Sequence, residues 1–444
     1  MRKIFIFIGI AVAILLIAGV AYYAYVSKSG SGGLGQSDGS VSSPNFFPFG
    51  NNDTPIDTPT ETPTTPVETP IVETPVTSTE TPRLVKIVAK PIAGFVYTTT
   101  LREKKVEDSV LGIDVAPTIG KDGIPSNFER VPAVRYVEKE TGNIYDLTMD
   151  ALQTKRLSNT TIPRIHEAIF SGNGSHVFLR YLEDDNRTIA TYAAKVPEFT
   201  AGGDGEGKIT GSFLERGIRD LVASPDGTKI FYTVPFGTGL SGVLAEKDGS
   251  KPGQIFSSPF MGWLPYYSGK STVQLTTKAS AYAQGFTYTL DTASKSFNKV
   301  IGSIGGLVSK LSPDGKYLAY SNSVENGTIL RVLDVAKQTA TNTNLRTFPE
   351  KCSFSNVQQY LYCAVPTSMP TGVYPDSWYQ GSVNFADSIW RIDPKGRVID
   401  SEIIRPLDLG FSVDAMNIFV DDAETYLFFI NRNDGSLWRY SLKI

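Results

Sequence analysis

Residue types that commonly act in catalysis or bind metals are scarce in this 444-residue chain, which has only two histidines and two cysteines. The register expected for their hairpin separates His166 from His176 by about 16 Å, at about 3.3 Å per strand residue, too far to share a metal. No nucleophile elbow of the Gly-x-Ser-x-Gly kind follows residue 82. We therefore expect no catalytic residue, no metal site and no cofactor. The acidic pairs at 184–185 and 421–422 are interpreted as turn residues.

Charge is also missing from parts of the chain. Residues 29–82 have seven acidic residues and no basic one, and residues 1–28 have three basic residues and no acidic one. Subtracting these from the totals leaves 39 basic and 38 acidic residues in 83–444, which is nearly neutral. Such a domain lacks the basic surface that nucleic acid requires, so we expect no nucleic-acid partner.

The longest uncharged run, residues 4–26, is long enough to cross a bilayer as a helix. Arg2 and Lys3 precede it, and the positive-inside rule then places the N-terminus in the cytoplasm and the rest outside. We interpret residues 1–26 as a cytoplasmic tip and a signal anchor in the cell membrane. A cleaved signal peptide is the alternative, since Gly19-Val20-Ala21 could be its cleavage site.

Residues 27–82 have too few apolar residues to form a core. The segment is first rich in Gly and Ser, then in Thr, Pro and Glu, with Glu-Thr-Pro repeated at 61–63, 68–70, 73–75 and 80–82. Such composition favours extended polyproline II, so the sequence predicts a disordered, semi-stiff stalk.

A strand-turn-strand unit recurs in the region after the stalk. Its best copy is Leu311–Tyr320, in which Ser-Pro-Asp-Gly joins two apolar strands, and a near copy begins at Ala223. Pro at the first central position and Gly at the last favour a type I turn in a tight hairpin. Related units recur with their serine, or its equivalent, at 171, 224, 268, 312 and 355, a period near 44. That period is typical of a four-stranded propeller blade.

Seven copies of the third strand of this unit can be counted, so the sequence predicts an all-β, seven-bladed β-propeller over residues 83–444. The last blade lacks its outermost strand before the chain stops at Ile444. The unpartnered strand at 84–89 would complete that blade and remove an exposed sheet edge.

The motif at Ser312–Tyr320 resembles the WD40-like PD40 repeats of TolB-type propellers, which also occur in the propeller halves of some serine peptidases. The motif is well formed only in blades three and five. The resemblance implies an envelope protein that binds partners through the ring. The peptidases have a separate α/β-hydrolase domain, and the sequence ends at the point where we would expect that domain to start.

The two cysteines fall at equivalent positions of neighbouring strands. In blade five the hairpin register sets Ser309 opposite Tyr320, and the matching residues of blade six are Cys352 and Cys363. We expect them to form a structural disulfide, since the region is predicted to be outside the membrane. Two reduced core cysteines are the alternative.

A long insertion in blade six, residues 366–386, contains four aromatic residues, Tyr374, Trp378, Tyr379 and Phe385. Exposed aromatics on a loop suit stacking on sugars or anchoring a protein. We therefore take these four as candidate partner-binding residues. The alternative, weighted equally, is that the loop folds back to cover blade six.

Taken together, these patterns predict a membrane-anchored extracytoplasmic propeller that acts as a protein-binding or scaffolding module of the cell envelope, and not as an enzyme. A second hypothesis is a protein that binds or cleaves an envelope or extracellular polysaccharide, since a glycan is a possible partner. A sensor that relays binding inward is a third, although its cytoplasmic part would be only a few residues.

Overall fold

In the computed structural model of the chain, the recurring turns have the hydrogen bonds and the backbone conformation that their sequence predicts. Ser312 donates its hydroxyl hydrogen to Asp314 Oδ1 at 2.7 Å, and Gly315 has a φ of 74°, in the left-handed region that glycine tolerates. The degraded copy in blade two keeps the same contact, because Ser171 donates to Asn173 at 2.9 Å. Asn thus substitutes for Asp in this turn.

The structure describes residues 82–104, 119, 124–197 and 207–443, which form seven four-stranded antiparallel sheets. The first strand along the chain is β1 (Leu84–Val88). The strands of blades one to three are β2 (Ile92–Glu103), β3 (Phe128–Glu138), β4 (Ile144–Thr148), β5 (Thr154–Arg156), β6 (Ile165–Phe170), β7 (His176–Leu182), β8 (Ile189–Lys195), β9 (Thr210–Phe213), β10 (Asp220–Ala223), β11 (Lys229–Phe236), β12 (Gly239–Glu246) and β13 (Gly253–Ser258). Those of blades four and five are β14 (Trp263–Tyr267), β15 (Thr272–Thr277), β16 (Gln284–Asp291), β17 (Phe297–Gly305), β18 (Val308–Leu311), β19 (Tyr317–Val324), β20 (Gly327–Asp334) and β21 (Thr339–Asn342). Those of blades six and seven are β22 (Cys352–Phe354), β23 (Leu361–Pro366), β24 (Asp387–Ile392), β25 (Val398–Ile404), β26 (Ala415–Val420), β27 (Tyr426–Asn431) and β28 (Leu437–Ser441).

Helical structure within the described ranges is limited to single turns. They are α1 (Asp376–Tyr379) and the 3-10 helices Pro349–Lys351 and Pro406–Leu409. None of these is long and apolar enough to cross a membrane. The predicted anchor at 4–26 lies outside the described residues, as does the predicted stalk except for its last residue. The described strands belong to one compact unit, Ser78–Ile444.

Ring closure follows the prediction, because β1 is the fourth strand of blade seven. It pairs antiparallel with β28, Leu84 opposite Tyr440 and Lys86 opposite Trp438. Leu84 and Val88 are buried. The predicted all-β, seven-bladed propeller with a shared last blade is therefore confirmed.

The sheets are buried on both faces by hydrophobic cores that lie between neighbouring blades. Val137 of blade one packs with Val177 of blade two, and Phe428 of blade seven packs with Val134 of blade one. Because each blade covers only one side of its neighbour, the stack is fully buried only when it closes into a ring.

The connections divide between two faces of the ring. The face with the Ser-Pro-Asp-Gly turns, here called the turn face, also receives the chain at Arg83, whose carbonyl accepts the Ser441 N–H at 2.8 Å. The opposite face, the loop face, carries the connections between second and third strands and those between blades. Residues 366–386 join β23 to β24 and so belong to the loop face.

Candidate functional site

The insertion 366–386, here called the lid loop, extends over the loop-face end of the central channel. Asp376 Oδ2 accepts the Ala281 N–H of blade four at 2.7 Å. Ser323 of blade five donates to the Tyr374 carbonyl, and Arg432 of blade seven donates to the Trp378 carbonyl at 2.7 Å. The lid loop thus contacts three blades besides its own.

The expectation that the loop aromatics are exposed is wrong for three of the four. Tyr374, Trp378 and Phe385 are 1%, 5% and 2% exposed, respectively, and they surround Phe348, whose ring centroid is 5.5 Å from that of Trp378. Burying rings of this size gains more free energy than leaving them in water, so the loop folds inward on its own hydrophobic residues. The alternative, that the loop covers its blade, describes the structure. Tyr379 alone remains partly accessible.

A buried ionic cluster lies beneath the lid loop. Lys351 Nζ is 2.8 Å from Asp387 Oδ2 and also contacts Asp414, and the side chains of all three are fully buried. Asp414 Oδ2 in turn accepts the Trp378 indole N–H at 3.0 Å and the Phe385 N–H at 3.2 Å. The cluster therefore connects the lid loop to blades six and seven.

Sequence reasoning missed this cluster, although a signal for it was present. Lys351, Asp387 and Asp414 each stand immediately before a strand or at its first residue, and those strand ends all lie on the loop face. Burial raises the pKa of Asp387 to about 6; the positive charge of Lys351 opposes this shift and the negative charge of Asp414 adds to it.

Cys352 and Cys363 lie directly opposite each other on β22 and β23, in the register that the sequence predicts. In the structure they form a disulfide bond with an Sγ–Sγ distance of 2.07 Å, and both are fully buried. They belong to the core between blades five and six, where Ala319 and Leu361 pack.

Beneath the lid loop the channel contains a cavity of about 330 Å³. Its polar lining includes Lys310 of β18, Glu350 and Tyr379. Lys310 Nζ donates to the Cys352 carbonyl at 2.7 Å and lies 5.3 Å from the centroid of the Tyr266 ring. Burial lowers the pKa of Lys310 to about 8, although the negative charge of Glu350 opposes the shift.

Glu350 is a hydrogen-bond acceptor that lines the cavity. Its Oε1 accepts the Tyr379 hydroxyl hydrogen at 2.7 Å. Burial among protein atoms raises the pKa of Glu350, although part of the residue is exposed in the channel, and the Tyr379 hydrogen bond and the charge of Lys310 oppose the rise. Burial and the same carboxylate raise the pKa of Tyr379 well above its usual range, so it remains a neutral donor.

A second surface feature of the loop face is a set of exposed aromatic side chains on blades three and four, here called the aromatic patch: Phe236, Phe260 and Tyr282. The Phe260 ring packs closely against Gly262, because a Cβ added at this glycine would lie 2.9 Å from Phe260 Cζ. Gly262 also lies next to Lys278 of the next hairpin. Tyr282 is 83% exposed, and the preceding residue bonds to the lid loop. The patch therefore borders the lid loop.

A larger groove of about 900 Å³ lies along blade two, away from the channel. Four of its six ionic side chains pair with one another at the surface: Arg164 with Asp184 at 3.2 Å and Arg216 with Glu183 at 3.8 Å. Exposed pairs of this kind contribute little to stability or binding. We therefore regard the channel cavity as the better candidate site.

A scan against protein-family models and a search of the curated proteins give no match to this chain. Solved structures to which it is similar include TolB from Acinetobacter baumannii, at 14% identity and a TM-score of 0.38, covering 59% of each chain. They also include oligogalacturonate lyase from Vibrio parahaemolyticus, at 11% identity and a TM-score of 0.44, covering 79% of this chain and 99% of the lyase. A Mycobacterium tuberculosis puromycin-hydrolyzing peptidase has 13% identity and a TM-score of 0.44, covering 71% of this chain and 48% of the peptidase.

These similarities concern the fold alone, and the similar proteins are a TolB protein, a lyase and a peptidase. The chain spans 59% of the length of TolB, so what the whole of TolB does is no property of this chain. The TolB-like resemblance that the Ser-Pro-Asp-Gly turns imply is confirmed as a resemblance of fold, which the seven sheets themselves establish.

Proposed function

We propose that this protein is a non-enzymatic binding module of the cell envelope, held at the membrane by residues 4–26 and carried outside it on the stalk. Its partner is a protein that binds the loop face. The aromatic patch is the observation that carries the proposal. Phe236, Phe260 and Tyr282 are 64%, 46% and 83% exposed, respectively, on adjoining loops of one face. Exposed aromatic side chains on one face of a protein are typical of protein interfaces.

Two further features favour the loop face. The chain joins the propeller on the turn face, at Arg83, whereas the lid loop and the aromatic patch both belong to the loop face. The lid loop beside the patch is held by buried side chains, so a partner would meet a preorganised surface and lose little conformational entropy on binding. Leu407, Leu409 and Phe411 are also exposed on the loop face, in the connection between blades six and seven.

Photo-crosslinking in intact cells tests the proposal. A photoreactive amino acid placed at Phe260 or Tyr282 should crosslink to one discrete protein. The same residue at Val357, exposed on the turn face, is the matched control and should not. Loss of the Phe260 adduct when Phe236 and Tyr282 are both changed to Ser would assign the contact to the patch. Equal crosslinking from both faces would contradict the proposal.

The location is tested separately, since it rests on the sequence alone. The full-length protein should fractionate with membranes and resist carbonate extraction. The propeller should be digested by protease added to cells whose outer layers have been opened but whose cytoplasmic membrane is intact. Protection of the propeller in that experiment would place it in the cytoplasm and overturn the assignment.

The alternative from the sequence, binding or cleavage of a polysaccharide, is favoured by one observation. An amine, a carboxyl group and a phenol converge in the channel cavity, and acid–base chemistry uses such groups when their pKa values are shifted. Release of reducing ends or unsaturated products from acidic polysaccharides, abolished by Glu350→Gln, would favour an enzyme over a binding module.

A further inference from the structure

We propose that the channel cavity beneath the lid loop binds a small carboxylate-bearing molecule, with Lys310 contacting the carboxylate and Glu350 accepting a hydrogen bond from a neighbouring hydroxyl or ammonium group of the ligand. Acidic sugars and amino acids both have this chemistry. The site is separate from the aromatic patch and does not depend on the protein partner proposed above.

Lys310 is a cation without an ionic partner in the cavity. Among the described residues, its Nζ takes part in no ion pair within 4.0 Å, and its one hydrogen bond is to the Cys352 carbonyl at 2.7 Å. An ammonium group has three donors, so two remain for a ligand. An anionic oxygen is the acceptor that gains most from such a donor, since charge-assisted hydrogen bonds are the strong ones.

Glu350 supplies the opposite half of the recognition. One of its oxygens accepts the Tyr379 hydroxyl hydrogen, which leaves Oε2 to accept from a ligand. Lys310 and Glu350 are close enough to shift each other's pKa, so a ligand that contacts both must present its acceptor and its donor near each other. A carboxylate next to a hydroxyl or an ammonium group fits this requirement.

The position of Lys310 is fixed by its neighbours on the strand. Gln274 Nε2 donates to the Ser309 carbonyl at 2.9 Å, and its Oε1 accepts the Leu311 N–H at 2.6 Å. The buried Gln274 side chain therefore holds the backbone on both sides of Lys310. A ligand would find the ammonium group already placed, which lowers the entropic cost of binding.

The size and apolar lining of the cavity limit the ligand further. Its volume of about 330 Å³ is at the small end of the range for ligand sites, which suits one sugar ring or one amino acid. Leu264, Leu307 and Met416 form part of the wall. These side chains favour a compact ligand with one apolar edge, and the lid loop restricts longer chains.

Isothermal titration of the full-length protein in detergent micelles tests the site with three probes: D-glucuronate, L-glutamate and uncharged D-glucose. We expect saturable binding of at least one carboxylate probe and none of glucose. Binding of glucuronate alone identifies an acidic sugar as the ligand class, and binding of glutamate alone identifies an amino acid. Failure of both carboxylates, or equal binding of glucose, overturns the proposal.

Two variants assign the binding to Lys310. Lys310→Met should weaken the carboxylate probe at least 10-fold. Lys316→Met removes an exposed lysine on the turn face, the matched control, and should leave the affinity unchanged. Unchanged affinity in folded Lys310→Met, with folding checked by its melting curve, overturns the assignment. Photo-crosslinking from Phe260 should be the same in both variants, so failure here is distinguishable from failure of the protein-binding proposal.

Discussion

At the scale of single residues, Lys310 keeps a positive charge in a place that disfavours it. Its pKa is lowered to about 8 because the loss of hydrating water on burial outweighs the opposing effect of the Glu350 carboxylate. A lysine that lines a cavity without an ion pair costs stability, as residues of functional sites often do. This is why Lys310, and not one of the paired surface lysines, is the centre of the proposed ligand site.

Lys310→Met should therefore raise the melting temperature at pH 7 while it removes carboxylate binding. The folded protein holds the Lys310 proton less tightly than the unfolded chain, whose lysine has a pKa near 10.5. Between about pH 8 and 10.5 the unfolded chain binds more protons, so this residue makes the free energy of unfolding rise with pH. Thermal melts across that range should show the rise in wild type and a smaller one in the variant. A lower melting temperature of the variant at pH 7 would contradict the argument.

The proposed carboxylate site should lose affinity as the pH rises through about 8, because Lys310 then loses its charge. Among the described residues, the other titratable groups that line the cavity are Glu350, Tyr379 and Tyr266. The pKa of Tyr266 is raised to about 12 by burial and that of Tyr379 is raised well above its usual range, so both stay neutral in this interval. Burial raises the pKa of Glu350, and the hydrogen bond from Tyr379 and the charge of Lys310 oppose the rise. Titration of the bound probe at pH 7, 8 and 9 measures the effect, and constant affinity across this range would exclude Lys310 as its contact.

Asp387 gives a second pH dependence of stability, at acidic instead of alkaline pH. Burial raises its pKa to about 6, from 3.8 in the unfolded chain, so the folded protein binds more protons between about pH 4 and 6. The contribution of Asp387 to the free energy of unfolding is therefore present below about pH 4 and lost as the pH rises through about 6. Urea denaturation of wild type and Asp387→Asn should differ by an amount that changes across this window.

Asp393 of the same blade is a useful comparison for that experiment. It is buried as well, but hydrogen bonds and the charge of Arg397 outweigh burial and lower its pKa. Its contribution to stability is present above the unfolded value and lost as the pH falls, the reverse of Asp387. If Asp387→Asn and Asp393→Asn altered the pH profile in the same direction, the assignment of Asp387 would be wrong.

At the scale of elements, the turns could be predicted from the sequence, whereas the conformation of the lid loop could not. The turns were predictable because Pro-Asp-Gly constrains its own backbone, and the register between Cys352 and Cys363 followed from the hairpin geometry of another blade. The lid loop has no periodicity, so whether Trp378 is exposed depends on Phe348 and Asp414, which are distant in sequence. Partners that come from other blades cannot be read from a local pattern.

Trp378 and Tyr379 should behave differently when they are substituted, although they are neighbours on α1. Trp378→Ala removes a buried ring and leaves Asp414 without the indole donor, and we expect a loss of about 3–5 kcal/mol in the free energy of unfolding. Tyr379→Phe removes only the hydrogen bond to Glu350 and should cost about 1 kcal/mol or less. Urea denaturation measures both. A Trp378→Ala variant as stable as wild type would mean that the lid loop is not held by this ring.

At the scale of the whole molecule, the ring separates two surfaces by their roles. The turn face is built from repeated hydroxyl–carboxylate turns, such as that of Ser312 and Asp314, and it receives the chain. The loop face carries the lid loop, the aromatic patch and the end of the channel. The repeated unit fixes the residues of the turns more strongly than those of the connections between blades, so the connections on the loop face can differ from blade to blade. Both proposed sites lie on that face.

Closure of the ring by β1 is the feature on which the whole propeller depends. Deleting residues 83–90 would leave the β28 edge unpaired and remove the buried side chains of Leu84 and Val88 from two inter-blade cores. We expect a lower melting temperature and aggregation through the exposed edge, because an unpaired strand is a template for pairing with other chains. A synthetic peptide of residues 83–90, added during refolding, should restore the melting temperature, and a scrambled peptide of the same composition should not. If the deletion variant melted like wild type without the peptide, the seventh blade would be stable with three strands, and ring closure would not be what holds the two ends of the chain together.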